Sequence, residues 1–154
     1  MKVTRLIGGL SAALVLAASV PSLAAGSPGV RGGGFLRSTD KTKVTLAISG
    51  SDAGVLGDSG QAQVVSHTPG GPADAVHVTL MCVHVVGSVA LSSGFGSDGK
   101  IYLIVVKDNG QGQEADEFAV IEELAAHNYC LAGLVPTNGA LGTAEGGNFQ
   151  VFSS

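Results

Sequence analysis

Tryptophan is absent, and five phenylalanines and two tyrosines are the only aromatic side chains in 154 residues. A surface that stacks sugars or bases needs several flat rings together, so this scarcity argues against one. Basic residues are also few, with eight Lys and Arg against twelve Asp and Glu and a net charge of −4. Without a basic cluster, neither nucleic acid nor anionic lipid finds a complementary surface. Signatures of catalysis are missing as well. There is no Gly-x-Ser-x-Gly elbow, no phosphate loop ending in Gly-Lys-Ser/Thr and no Cys-x-x-Cys pair. His67, His77, His84 and His127 show no zinc-ligand spacing. In a regular strand His77 and His84, an odd number of residues apart, point to opposite faces. Glu122 and Glu123 are adjacent, and a strand turns them apart, so they do not pair across a cleft as glycosidase carboxylates do. The weight falls against an enzyme.

What is present first is an export signal. Lys2 and Arg5 precede an uncharged, mostly apolar stretch from Leu6 to Val20, and Pro21-Ser22-Leu23-Ala24 offers small residues for cleavage after Ala24. The apolar stretch is shorter than the roughly 20 residues a bilayer-spanning helix needs. No cysteine follows it until Cys82, which excludes a lipid-modified N-terminus. Residues 1–24 therefore read as a secretory signal peptide, and no membrane insertion is expected after its removal. Loss of Lys2 and Arg5 moves the net charge from −4 to −6. The expected location is extracellular or cell-wall associated. In that oxidising setting Cys82 and Cys130 pair most simply as one disulfide. Closing a loop of about 50 residues is worth roughly 4 kcal/mol on a chain-entropy argument.

Residues 25–34, Ala-Gly-Ser-Pro-Gly-Val-Arg-Gly-Gly-Gly, read as a flexible lead-in, and 35–154 as a single β-rich domain. Phe35 and Leu36 would tuck an edge segment against its body. Lys43 to Ile48 alternates as a half-buried strand, and Gln61 to Ser66 forms a second. Between them lies a glycine-rich loop with Val55 and Leu56 as candidate inward anchors. The longest β-branched run, His77 to Gly87, marks the expected central strand. Its Val76, Val78, Leu80 and Cys82 share one face, and both faces turn apolar after Cys82. Val89 to Ser92 is a short strand followed by a hairpin-like connection from Gly94 to Gly99. Lys100 to Lys107 is a strand with no plainly wet face. The segment 114–130 fits either a helix capped by Asp116 or a strand near 117–122, with the strand favoured, and His127 falls in a loop. Asn148 to Phe152 is the last strand. About seven short strands and 24 glycines imply an antiparallel β-sandwich or small β-barrel.

The order of short motifs is also informative. Gly60-Gln61-Ala62-Gln63, His77 to Val83, Val86-Gly87-Ser88-Val89-Ala90 with Ser93-Gly94, Val106 to Gly112 with Asp116, Cys130, and Gly147 to Val151 follow one another. This succession resembles an uncharacterised family of small exported bacterial domains of actinobacterial type, over most of residues 32–152. The resemblance implies a secreted β-rich domain and carries no activity. Two departures stand out: Ser88 where the pattern has Asn, and Gln113-Glu114-Ala115-Asp116 where it has a Pro-Pro-Asp segment.

One polar constellation remains. Asp108, Asn109, Glu114 and Asp116 frame a glycine-bent loop whose oxygens suit a hard cation such as calcium. The spacing is not that of an EF-hand, and the alternative is a hairpin turn with solvated carboxylates. Two functions follow as expectations. One is an exported non-enzymatic module that binds an extracellular protein or small ligand, or plays a structural role. The other is a small secreted hydrolase with its site around residues 108–116. A converging His–carboxylate pair would favour the second, and an apolar groove without one the first.

Overall fold

The computed structural model describes residues 27–54, 56–110, 115–136 and 141–153. The signal segment, Val55 and Glu114 lie outside the described residues. Nine strands and one short helix are seen among those described: β1 (Gly29–Arg37), β2 (Lys43–Ser51), β3 (Ser59–His67), β4 (Ala73–Val86), β5 (Val89–Gly96), β6 (Ile101–Lys107), β7 (Glu117–Glu122), α1 (Ala126–Ala132), β8 (Gly142–Thr143) and β9 (Gly146–Phe152). All the strands belong to one antiparallel sheet in the order β8-β7-β6-β5-β4-β3-β2-β1-β9. The chain meanders from β1 to β7 between neighbours, then β9 returns to pair with β1. The all-β expectation holds, in the form of one curled sheet, a half-barrel, stapled by the Cys82–Cys130 disulfide.

Alternation builds the concave face. Leu46 and Ile48 of β2, Ala62 and Val64 of β3, and Val78 and Leu80 of β4 point inward and are buried together with Phe118 and Phe149. On β6 both faces are dry, as its sequence demands. Ile104 and Val106 enter the concave core, and Leu103 and Val105 enter a second cluster with Cys82, Leu91, Ala126 and Cys130 beneath α1. A seven-residue helix is too short to persist alone. Its place depends on that buried contact and on the disulfide.

Five sequence expectations change. Residues Gly29 to Gly34 are not a flexible lead-in but the first part of β1, hydrogen-bonded to β2 on one side and β9 on the other. Their glycines allow the strands to meet. Gly32, at φ 136°, would place a Cβ 2.2 Å from the Asn148 carbonyl, and Gly147, at φ 110°, would place one 2.1 Å from that of Gly33. Cys82 does not share a face with Leu80. The β4–β5 register slips between them, leaving Met81 as an extra residue, and this β-bulge turns Cys82 outward and Val83 inward. The same parity change puts His84 on the outer side, beside Gly133 at the end of α1, so His77 and His84 share a face and do not point apart as a regular strand would have them. Leu56 is fully exposed, not an inward anchor. The 114–130 segment holds both alternatives in succession, β7 and then α1, so His127 is helical. Asp116 does not cap that helix, which Ala125 precedes without a side-chain cap.

Removing the staple should loosen the helix layer first. The double variant Cys82→Ala, Cys130→Ala is expected to lose about 2–5 kcal/mol in urea unfolding, and the reduced natural chain to melt at the same lowered midpoint.

Candidate functional site

The loop between β6 and β7 is held by carboxylates that face the backbone. Asp116, buried, accepts the Asn109 N–H at 3.0 Å on one oxygen and the Phe149 N–H at 2.8 Å on the other. Asp108 accepts the Gly110 N–H at 2.7 Å and the Val151 N–H at 3.0 Å. The Asn109 side-chain amide donates to the Ala115 carbonyl at 2.8 Å. Three of the four expected cation ligands thus come together, but every oxygen of the two aspartates already accepts a backbone donor. They join β9 to the opposite edge of the sheet, where the Phe118 and Phe149 rings also meet at 5.5 Å.

The device occurs twice. Strand β4 outruns β3 beyond Leu80, leaving Val83 and Val85 without strand partners on that side. Asp58 accepts the Val83 N–H at 3.0 Å and Asp52 the Val85 N–H at 3.1 Å. In each pair the two donors are alternate residues of one strand edge, so two carboxylates stand in for a missing neighbour. Among the described residues, no group of three or more His, Cys, Asp and Glu is placed to hold a metal.

On the convex face the bulge directs Met81 into a small apolar pocket with Ser93, Gly94, Phe95, Ile101 and His127, about 150 Å³ in volume. Ser93 is buried, and its Oγ lies 3.3 Å from His127 Nδ1. No carboxylate bonds His127 among the described residues, so the pair lacks the third group that orients a catalytic imidazole. Phe95 and Ile101 also line a second, larger hollow bordered by Lys100, Glu122, Glu123 and Leu124. Sequence reading missed this groove, because Met81 and His127 reach it only through a register slip and a short helix.

At the open end of the concave face, Tyr102 donates its hydroxyl to Asp98 at 2.7 Å, and Lys100 pairs with Glu122 at 2.7 Å. Burial first, then the Asp98 contact, pushes the phenol well above the ordinary tyrosine range, and the Tyr102 bond holds Asp98 low. Glu122 holds the Lys100 ammonium charged to higher pH.

Compared as sequence and as structure, the chain matches no known family, no curated protein and no solved structure.

Two measurements test this geometry. Asp116→Asn exchanges an acceptor for a donor against a backbone N–H, so it should cost about 1–3 kcal/mol of stability. The loss should be equal in EDTA and in calcium if the carboxylate serves the backbone alone. Because the folded Tyr102 is raised, its stabilisation is complete below about pH 10 and is lost as pH climbs further. In a Tyr129→Phe chain, absorbance titration should show the one remaining phenol ionising above the usual range, together with alkaline unfolding.

Proposed function

We propose that this chain is an exported, non-enzymatic binding module that takes an apolar anchor side chain of an extracellular protein partner into the groove beside α1. One observation carries the reading. Of the eight large hydrophobic side chains exposed among the described residues, Met81, Phe95 and Leu124 line the pocket and the hollow beside it, and Val86 of β4, Leu131 of α1, and Leu134 and Val135 just after α1 are exposed on the elements that carry the helix layer. Gathered exposed hydrophobics of this kind mark an interaction surface. The pocket at its centre has room for a single apolar side chain, and Lys100, Glu122 and Glu123 give it a charged margin. An apolar centre inside a polar rim is the anatomy of a protein interface. The disulfide suits life outside the cytoplasm, and the signal-like segment and the ordered motifs support export.

The hydrolase reading finds a Ser–His pair in this pocket, but among the described residues no carboxylate with it, and Asp108 and Asp116 already serve the backbone. The test is a random peptide library displayed on phage and selected on the oxidised chain. Recovered peptides should carry a large apolar residue and bind at least tenfold more weakly to Phe95→Glu and Met81→Glu, whose changes lie at exposed positions. Peptides that bind both variants undiminished would overturn the reading. Ester hydrolysis lost in Ser93→Ala would replace it with the enzymatic one.

A further inference from the structure

The concave face carries a cavity at one end. Near the turns at 68–72 and 97–100, a cavity of about 230 Å³ opens between β2, β3, β4, β6 and β7. Val44, Val64, Val76 and Val120 form its walls, and Ser66, Asp74 and Glu122 stand at its rim beside Tyr102. Its position follows from the register. Ser66 faces Asp74 across β3 and β4, and Tyr102 faces Glu122 across β6 and β7, so polar residues end the inward-facing rows. Gly96 on β5 leaves the space the Tyr102 ring occupies, since a Cβ there would lie 2.6 Å from it.

The charge at this mouth is lopsided. Asp74, Asp98 and Glu122 act on Tyr102, and Lys100 is the cation they share. Glu122 is paired with Lys100, and Asp98 accepts from Tyr102 and from the Lys100 N–H. Asp74 differs. Among the described residues it alone of the carboxylates accepts no hydrogen bond and forms no ion pair. Every other described acidic side chain has a donor, whether backbone, hydroxyl or cation. An apolar-walled cavity with one unpartnered carboxylate at its lip is complementary to an apolar body ending in a cation.

We propose that the open mouth of the half-barrel binds a small apolar amine, its hydrocarbon part against Val44, Val64, Val76 and Val120 and its ammonium beside Asp74 and Ser66. A space of this size holds a short alkyl chain or a single ring. The site opens among the inward-facing residues and is distinct from the helix-side groove, although Glu122 borders both; it does not depend on the partner proposed there.

The experiment uses n-hexylammonium, with hexan-1-ol and hexanoate as matched probes, on the oxidised natural chain. Amide shifts in NMR at Val44, Val64, Val76 and Val120 are expected to saturate with the amine, at least tenfold more tightly than with the alcohol. Hexanoate should give no saturable shift. Added salt should weaken the amine and leave the alcohol unchanged. Asp74→Asn should reduce amine affinity several-fold without altering that of the alcohol, and Val120→Phe, which fills the space, should abolish both. Equal binding of amine and alcohol by the natural chain would overturn the cationic specificity. Absence of saturable shifts at these four valines would overturn the site, and neither result requires a variant to fold.

Discussion

An open sheet must do something with the N–H groups along its edges, and this molecule meets that demand with aspartate side chains. A buried backbone donor without an acceptor costs as much as a lost hydrogen bond. Curling the sheet brings β9 near the β6–β7 end, but not into a ladder with it. Asp108 and Asp116 bridge the remaining gap by accepting from Val151 and Phe149. Asp52 and Asp58 do the same for Val85 and Val83, where β4 runs past β3. The half-barrel keeps its curvature because carboxylates complete what a further strand would otherwise supply. The edges so covered are also closed to pairing with another chain.

The Met81 bulge then divides the molecule into two chemistries. One extra residue in β4 reverses the facing of everything after it, so Cys82 meets Cys130 on the convex side while Val83 continues the concave core. Without that reversal the cysteine would point among the inward valines, and α1 would have no covalent hold on the sheet. The same residue lines the convex pocket. Bulge, disulfide, helix and groove are thus one arrangement. The concave face, left to the regular alternation, packs its centre and opens where its inward rows end in Ser66, Asp74, Tyr102 and Glu122.

Most of the strands were legible because alternation is a local property. Lys43 to Ile48, Gln61 to Ser66, the run through Val78 and Leu80, and the doubly apolar Leu103 to Val106 each announce a strand with known faces. The two strands not foreseen, β1 and β8, are rich in glycine or very short, and their strand character comes from neighbours. Gly32 and Gly34 pair because β2 and β9 lie beside them, which no local pattern contains. The slip at Met81 was equally hidden, since register is set between strands. For the same reason the polar loop was visible as a cluster of acceptors, yet its partners, Phe149 and Val151, lie more than thirty residues away. The Ser93–His127 contact joins a strand to a helix through a fold the sequence only half specified.

These bonds also change what the acidic composition means. Twelve acidic residues against eight basic ones read, in the sequence, as a soluble surface with no taste for anions. In the fold, Asp52, Asp58, Asp108 and Asp116 accept backbone donors, and Glu117, Glu122 and Glu145 face Lys107, Lys100 and Arg37. Asp40, Asp98 and Glu123 accept bonds from turn residues nearby. Much of the negative charge therefore has a fixed structural partner, and exposed ion pairs of this kind add little stability in themselves. Among the described residues, Asp74 is the carboxylate left without such a partner. Asp74 sits at the lip of a cavity, where a neighbouring apolar wall raises the value of an opposite charge. Net charge counts such a group equally with eleven others, and only the structure singles it out.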